Sequence, residues 1–160
     1  MDIKISTEEG NFKYRVAGIL FDKNGRILIQ KIANNSFYCL PGGHVEIGET
    51  SLEAAKRELE EELQFPLDVD KPLFLIENIF GNAKNKTVHE IAIYYKLKSD
   101  DCPSKDWEYI ENDKGVLKKL SFKWVNHEEL SKIDFRPQFL KTLLFDGFEH
   151  FEHYVVKNSK

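Results

Sequence analysis

Residues 42–65, GGHVEIGETSLEAAKRELEEELQF, decide how the chain is read. Two glycines lead into a short extended segment, a glycine turn follows at Gly48, and then comes one helix crowded with glutamates. Thr50 and Glu53 have capping-box spacing, so the Thr50 side chain can accept from one orphan amide while Glu53 reaches back to another. Leu52, Ala55, Leu59 and Leu63 recur at helical spacing and predict an apolar stripe. Pro66 ends the pattern, because the residue before a proline disfavours the helical region. The predicted helix spans about Ser51 to Gln64, roughly 21 Å at 1.5 Å per residue.

Glu58, Glu61 and Glu62 stand at i, i+3 and i+4, which places them on one helix face beside the apolar stripe. Three like charges so close repel, and a divalent cation with oxygen ligands relieves that conflict. Ions held there could clamp a phosphate and activate a water. Gly42 and Gly43 allow close backbone approach to a ligand and could offer a carbonyl oxygen as a further ligand. Gly48 allows a turn that brings Glu49 back over the helix start, and Arg57, one turn before Glu61, could orient a carboxylate bidentately. The competing reading is a solvated face, which is what a bare ELEEEL run most often is.

Composition narrows the classes. The chain has 160 residues, 41% hydrophobic and 31% charged. One domain over 1–160 is expected, large enough to bury a core without disulfide or structural metal. The net charge is −4, yet residues 46 to 62 hold seven Glu against Lys56 and Arg57. The acidity is therefore one local patch, a poor face for nucleic-acid phosphates, and no stable nucleic-acid partner is expected. Cys39 and Cys102 form no paired pattern, which fits a reducing, cytoplasmic setting. The N-terminus shows no signal peptide and no apolar run is long enough to span a membrane.

Along the chain, Phe12 to Phe21 and Arg26 to Ile32 flank Asp22-Lys23-Asn24-Gly25 and read as a β-hairpin over 12–32. Leu73 to Phe80 and Thr87 to Leu97 read as a second hairpin around a polar turn at 81–86. Residues 98–118 read as a long polar loop. Leu120 to Val125 reads as a strand, Asn126 as the cap of a short helix at His127 to Leu130, and Pro137 as the first residue of a helix running to about Phe145. The aromatic-rich C-terminus is expected to fray. Six or seven strands with two or three helices predict a mixed-sheet α/β architecture, and the hairpins exclude an all-parallel sheet.

The stretch resembles the Nudix hydrolase signature. Gly43 is followed by five residues and Glu49, then by seven and Arg57-Glu58-Leu59-Glu60-Glu61-Glu62, with Leu63, Gln64 and Phe65 closing the pattern. Gln64 stands where the family has glycine, and Phe65 is a loose match to the final aliphatic position. The Leu40-Pro41-Gly42-Gly43 approach also looks like the family. The resemblance implies an α/β/α sandwich around a mixed sheet, and Mg²⁺- or Mn²⁺-dependent hydrolysis of a nucleoside diphosphate linked to another moiety. It implies Glu58, Glu61 and Glu62 as metal ligands with the Gly42 carbonyl added, and Glu49 and Arg57 as their supports; which Glu activates water varies within the family, and Glu61 is the candidate in this chain. A further carboxylate from outside the signature could be Glu90, Glu108 or Glu111.

Other residues carry weaker signals. His89 beside Glu90, and His44, His127, His150 and His153, are each read as locally satisfied or site-facing. Arg15 and Lys31 could contact phosphates or be surface charge, and Tyr38 could stack on a base. No GxSxG, Walker loop or GxGxxG is present. The expected partner is a small nucleotide-type substrate, and the protein is expected to be a monomer or homodimer. The rival of another class is a sensing module that keeps the fold without hydrolysis; a purely structural acidic helix is a third reading.

Overall fold

The computed structural model describes residues 1–33, 35–81, 86–113 and 115–158. In chain order the elements are β1 (Lys4–Ser6), β2 (Gly10–Ile19), β3 (Ile27–Ile32), α1 (Ser51–Leu63), β4 (Asp68–Gly81), β5 (Thr87–Lys98), β6 (Trp107–Asp113), β7 (Val116–Val125), α2 (His127–Lys132), α3 (Leu140–Leu143) and β8 (Glu152–Lys157). They form a five-stranded sheet in the order β1-β2-β5-β4-β8 and a three-stranded sheet in the order β3-β7-β6. The larger sheet is mixed: β2 and β5 run parallel, as do β4 and β8, while β4 and β5 form an antiparallel hairpin. Thus the α/β, mixed-sheet architecture expected from the sequence is present.

Side chains alternate along β2 between two cores. Ala17 and Ile19 join Ile29, Phe74, Ile76, Tyr94, Leu130, Phe135 and Leu140 on one side. Val16 and Leu20 join Ala55, Leu59 and Leu63 of α1, with Tyr95, Phe122 and Trp124, on the other. Period-two alternation is what lets one strand serve both layers. Helix α1 therefore sits against the larger sheet, on β2 and β4, with its apolar face in the same core as Phe122 and Trp124.

Several elements differ from the sequence reading. The segment 12–32 is not a paired hairpin. Its turn forms as expected, with the Asp22 side chain accepting from Asn24 N and Arg26 N at 2.9 and 2.8 Å. Beyond a bridge at Phe21–Ile27 the arms part, β2 into one sheet and β3 into the other. Residues 98–118 are not one loop, because β6 occupies Trp107–Asp113 and β7 begins at Val116; Trp107 stacks on Phe122 at 4.7 Å. The helix after Pro137 is only Leu140–Leu143, and the aromatic-rich segment before the tail forms β8, Glu152–Lys157, while the end of the tail expected to fray, residues 159–160, lies outside the described residues. Eight strands are described, more than the six or seven expected. Leu52 lies outside the buried stripe at 41% exposure, and Ala54 takes its place. Most of the expected 81–86 turn, residues 82–85, lies outside the described residues.

Candidate active site

Helix α1 is built as its sequence asks. Thr50 and Glu53 make both bonds of the capping box. At the other end Gln64 is the C-cap, with φ 62° and its amide donating to the Glu60 carbonyl at 3.1 Å. Gln64 thus does the work of the family's glycine in a left-handed conformation that favours glycine.

The helix presents its carboxylates to an extended segment, 41–45, that pairs with β2. Val16 N donates to Gly43 O at 3.0 Å, and Gly43 N donates to Val16 O at 3.1 Å. A Cβ on Gly43 would fall 1.9 Å from Glu58 Oε2, so the Glu58 carboxylate fills the space a side chain would take. Gly42 has φ +151°, and a Cβ there would lie 2.2 Å from the Val16 carbonyl oxygen. Its amide donates to Glu62 Oε2 at 2.8 Å, and Gln30 Nε2 donates to Glu62 Oε1 at 3.4 Å. The Gly42 carbonyl accepts from Arg15 Nη2 at 3.3 Å.

Arg57 ties the acidic groups together. Its Nε and Nη2 donate to the two Glu49 oxygens, both at 2.8 Å. Nη1 donates to Glu58 Oε1 at 2.7 Å and stands 3.9 Å from Glu61 Oε2. A planar fork that holds one carboxylate bidentately fixes its own orientation and hence that of the next. These hydrogen bonds from Arg57 hold the Glu49 carboxyl below the usual carboxylate range. Glu58 is raised, because burial outweighs the Arg57 contact.

Glu62 is the most perturbed carboxylate of α1. Burial pushes it up to about 8; the Gly42 amide opposes the shift, while the charges of Glu58 and Glu111 add to it. A buried carboxylate whose hydrogen-bond donors are neutral is costly in its charged form. An all-oxygen donor set with that excess of negative charge fits a hard divalent cation. Among the described residues no three such groups are already gathered closely enough to hold an ion. Arg57 engages Glu58 instead, and the Glu61 side chain is 61% exposed.

The other candidates separate. Glu111, on β6, is near enough for its charge to act on Glu62. Glu108 is exposed and paired with Lys119 at 2.7 Å. Glu90 is buried on β5, 3.8 Å from Arg15. His89 and His153 both engage Glu77, at 2.9 and 3.7 Å, and His127 packs on Phe145. His44 lies opposite Arg15; burial, then the Arg15 charge, lower it to about 4. Lys31 lies over the Tyr38 ring at 5.6 Å. Cys39 is raised to about 11 by burial, as an unreactive thiol would be. Gln30, bonded to Glu62, and Asn78, opposite Glu90, are buried and were not singled out from sequence; a polar residue in phase with buried neighbours, as Asn78 is with Phe74 and Ile76, is the signal that marks such positions. A cavity of about 550 Å³ lies near the far end of α1, lined by residues such as Pro66, Leu67, Lys96 and Asp101, and includes none of these carboxylates.

The site is thus a glycine-flanked, arginine-braced glutamate helix set on a mixed sheet. The NUDIX domain family model matches residues 11–144. A MutT-like protein of Streptomyces ambofaciens is 28% identical over a stretch covering 73% of this chain and 66% of that protein. An ADP-ribose pyrophosphatase of Methanocaldococcus jannaschii is 34% identical over 73% of this chain and 69% of its own length. Among solved structures, a MutT protein from Bacillus halodurans shares the fold with a TM-score of 0.61 at 16% identity, covering 89% of this chain and 90% of that one. The chain belongs to the Nudix hydrolase family, a family of pyrophosphohydrolases that generally use divalent metal ions. No helix among the described residues is long and apolar enough to cross a membrane.

Proposed function

We propose that this chain is a single Nudix hydrolase domain that cleaves the diphosphate linkage of a nucleoside diphosphate joined to another moiety, with Mg²⁺ or Mn²⁺ as cofactor. The observation that carries the reading is the Arg57 fork, which joins Glu49 and Glu58 in one bonded set beside the Gly42–Gly43 strand. Glu58, Glu61 and Glu62, with the Gly42 carbonyl, are the groups to hold the cation, which when bound there supplies charge to neutralise the diphosphate oxygens. The chain's own residues do the rest. Glu49 and Arg57 fix the helix carboxylates in place, which supplies preorganisation rather than new contacts at the moment of reaction. Glu61, the most exposed of the three, takes a proton from the attacking water as the new oxygen–phosphorus bond forms and the bridging phosphorus–oxygen bond breaks. The cytoplasm is the proposed compartment, and a monomer or homodimer the proposed state.

The test is phosphate or nucleotide release across nucleoside triphosphates, nucleotide sugars and dinucleoside polyphosphates, with and without Mg²⁺. Glu61→Gln and Glu62→Gln should each lower turnover by at least about 100-fold, a size usual for lost acid–base groups, with the far-UV spectrum unchanged. Near-full activity in either variant would remove the mechanism, and metal-independent activity would remove the cofactor.

A further inference from the structure

A row of polar side chains crosses the five-stranded sheet on a face that is otherwise apolar. His44 stands opposite Arg15 on β2. Glu90 on β5 stands opposite Lys13 of β2 on one side and Asn78 of β4 on the other. By alternation Glu90 and Asn78 share their face with Ala92, Tyr94, Phe74 and Ile76, which are core residues. Both are only 7% exposed. Asn78 Oδ1 and Arg15 Nε are buried without a hydrogen-bond partner among the described residues. Arg15 links the row to the diphosphate end of the site, because one of its nitrogens bonds the Gly42 carbonyl and another stands 3.8 Å from Glu90.

Among the described residues, Asn78 Oδ1 is a buried acceptor without a donor, directly opposite the Glu90 carboxylate, which Arg15 faces at 3.8 Å. A buried polar atom left without one costs about 1–3 kcal/mol, so a ligand that supplies the donor binds there with advantage. A primary amino group carries two N–H donors and can serve the Glu90 carboxylate and Asn78 Oδ1 together. Position separates a base from a ribose. Glu90 lies two strands across and four residues along from Gly42, roughly 16 Å backbone to backbone, and Asn78 one strand farther, with the Arg15 side chain spanning the gap to Glu90. A ribose sits next to its phosphate, whereas the edge of a base stands a full sugar beyond it.

We infer that Glu90 and Asn78 read the exocyclic amino group of the substrate's base. The site then prefers an amino-bearing base, adenine or cytosine, over the corresponding carbonyl-bearing base, hypoxanthine or uracil. This rests on the nucleotide-hydrolase reading of the same site. Arg15 is a positioning residue here, holding the Glu90 carboxylate toward Asn78.

The test is calorimetric binding of AMP, IMP, CMP and UMP to the full chain, which needs no turnover. AMP should bind at least about tenfold more tightly than IMP, and CMP than UMP, as a matched buried hydrogen bond requires. Glu90→Gln replaces one acceptor with a donor and should erase or invert the preference; Asn78→Leu should weaken it, with circular dichroism reporting the fold of each. Wild-type ratios within about twofold, no binding of any of the four, or a preference that survives both substitutions in folded protein would overturn the inference. Hydrolysis is measured separately on CTP, UTP, ATP and ITP. An amino preference in binding with no hydrolysis of any nucleotide removes the proposed function and leaves the reader. Hydrolysis with equal kcat/KM across each pair removes the reader and leaves the function.

Discussion

Gly42 and Gly43 are neighbours, yet alanine at each has a different consequence. At Gly42 the added Cβ meets the Val16 backbone, and φ +151° is strained for any L side chain. Gly42→Ala should cost about 1–3 kcal/mol and lower Tm by several degrees in a thermal melt. At Gly43 the added Cβ meets only the end of the Glu58 side chain, which can swing away. Gly43→Ala should therefore melt near the wild type while losing about 10- to 100-fold in activity, the usual cost of misplacing a site carboxylate's support. A variant that melts low but stays active would show that Glu58's place beside Gly43 is irrelevant. The buried titrating groups make a second case. Glu62 is raised from 4.5 to about 8 chiefly by burial, so between those values the folded state keeps a proton the unfolded state has lost. Stability contributed by this group falls as pH rises through that window. His44, lowered from 6.5 to about 4, has the opposite sign: the unfolded state binds the extra proton, so its contribution falls as pH drops below 6.5. Above pH 6.5 only the Glu62 effect of the two remains. With chelator present, Tm should fall from pH 6.5 to 8 in the wild type, and Glu62→Gln should flatten that slope. An equal slope in both proteins would show that Glu62 does not carry it.

Helix α1 was legible because its instructions are local. The Thr50–Glu53 box, the Leu52/Ala55/Leu59/Leu63 stripe and the Arg57–Glu62 run all act within a few turns; the box is formed, and the stripe is buried except for Leu52. Its end was only half legible. Pro66 signalled a stop, but it is Gln64 that turns left-handed at φ 62°. Gln64→Gly relieves that conformation and should stabilise the protein by about 0.5–1 kcal/mol, provided the loss of unfolded-state restriction does not cancel it. A Tm rise of a few degrees is expected, and a fall would show that the Gln64 side-chain bond to the Glu61 carbonyl outweighs the backbone cost. Elements that depend on distant partners were less visible. In β6, Trp107 and Tyr109 face the core while Glu108 and Ile110 face out, a period-two pattern hidden in a polar stretch until Phe122 and Leu120 stand opposite it. The four-residue α3 lacks a side-chain cap, and Leu140 and the nearby Leu144 pack it into the core; Pro137 alone overstated it.

At the level of the whole molecule, chain order and sheet order diverge. The Asp22–Gly25 turn was correctly read, yet the strands it joins belong to different sheets. What parts them is that β2 has a better partner in β5, with ten residue pairs in parallel register, and β3 has one in β7. Pairings this remote in sequence are not written in either strand alone. The same holds for β8, whose short, charged-looking sequence EHYVVK gains its place by running parallel to β4 from Phe74 to Ile79. Tyr154 meets Phe74 edge-on at 5.9 Å, and Val156 packs on the same core. Two half-buried side chains of this kind contribute about 3 kcal/mol together, a large share of a total near 5–15 kcal/mol. Removing residues 152–160 should therefore lower Tm markedly and expose the β4 edge to association. Asn78 lies opposite Val156, so the loss reaches the polar row as well as the core. Hydrogen exchange should quicken at amides 74–79 before those of β2 and β5, because β4 becomes the edge strand. A truncated chain with wild-type Tm and unchanged protection at 74–79 would show that β8 merely lies against the sheet without supporting it.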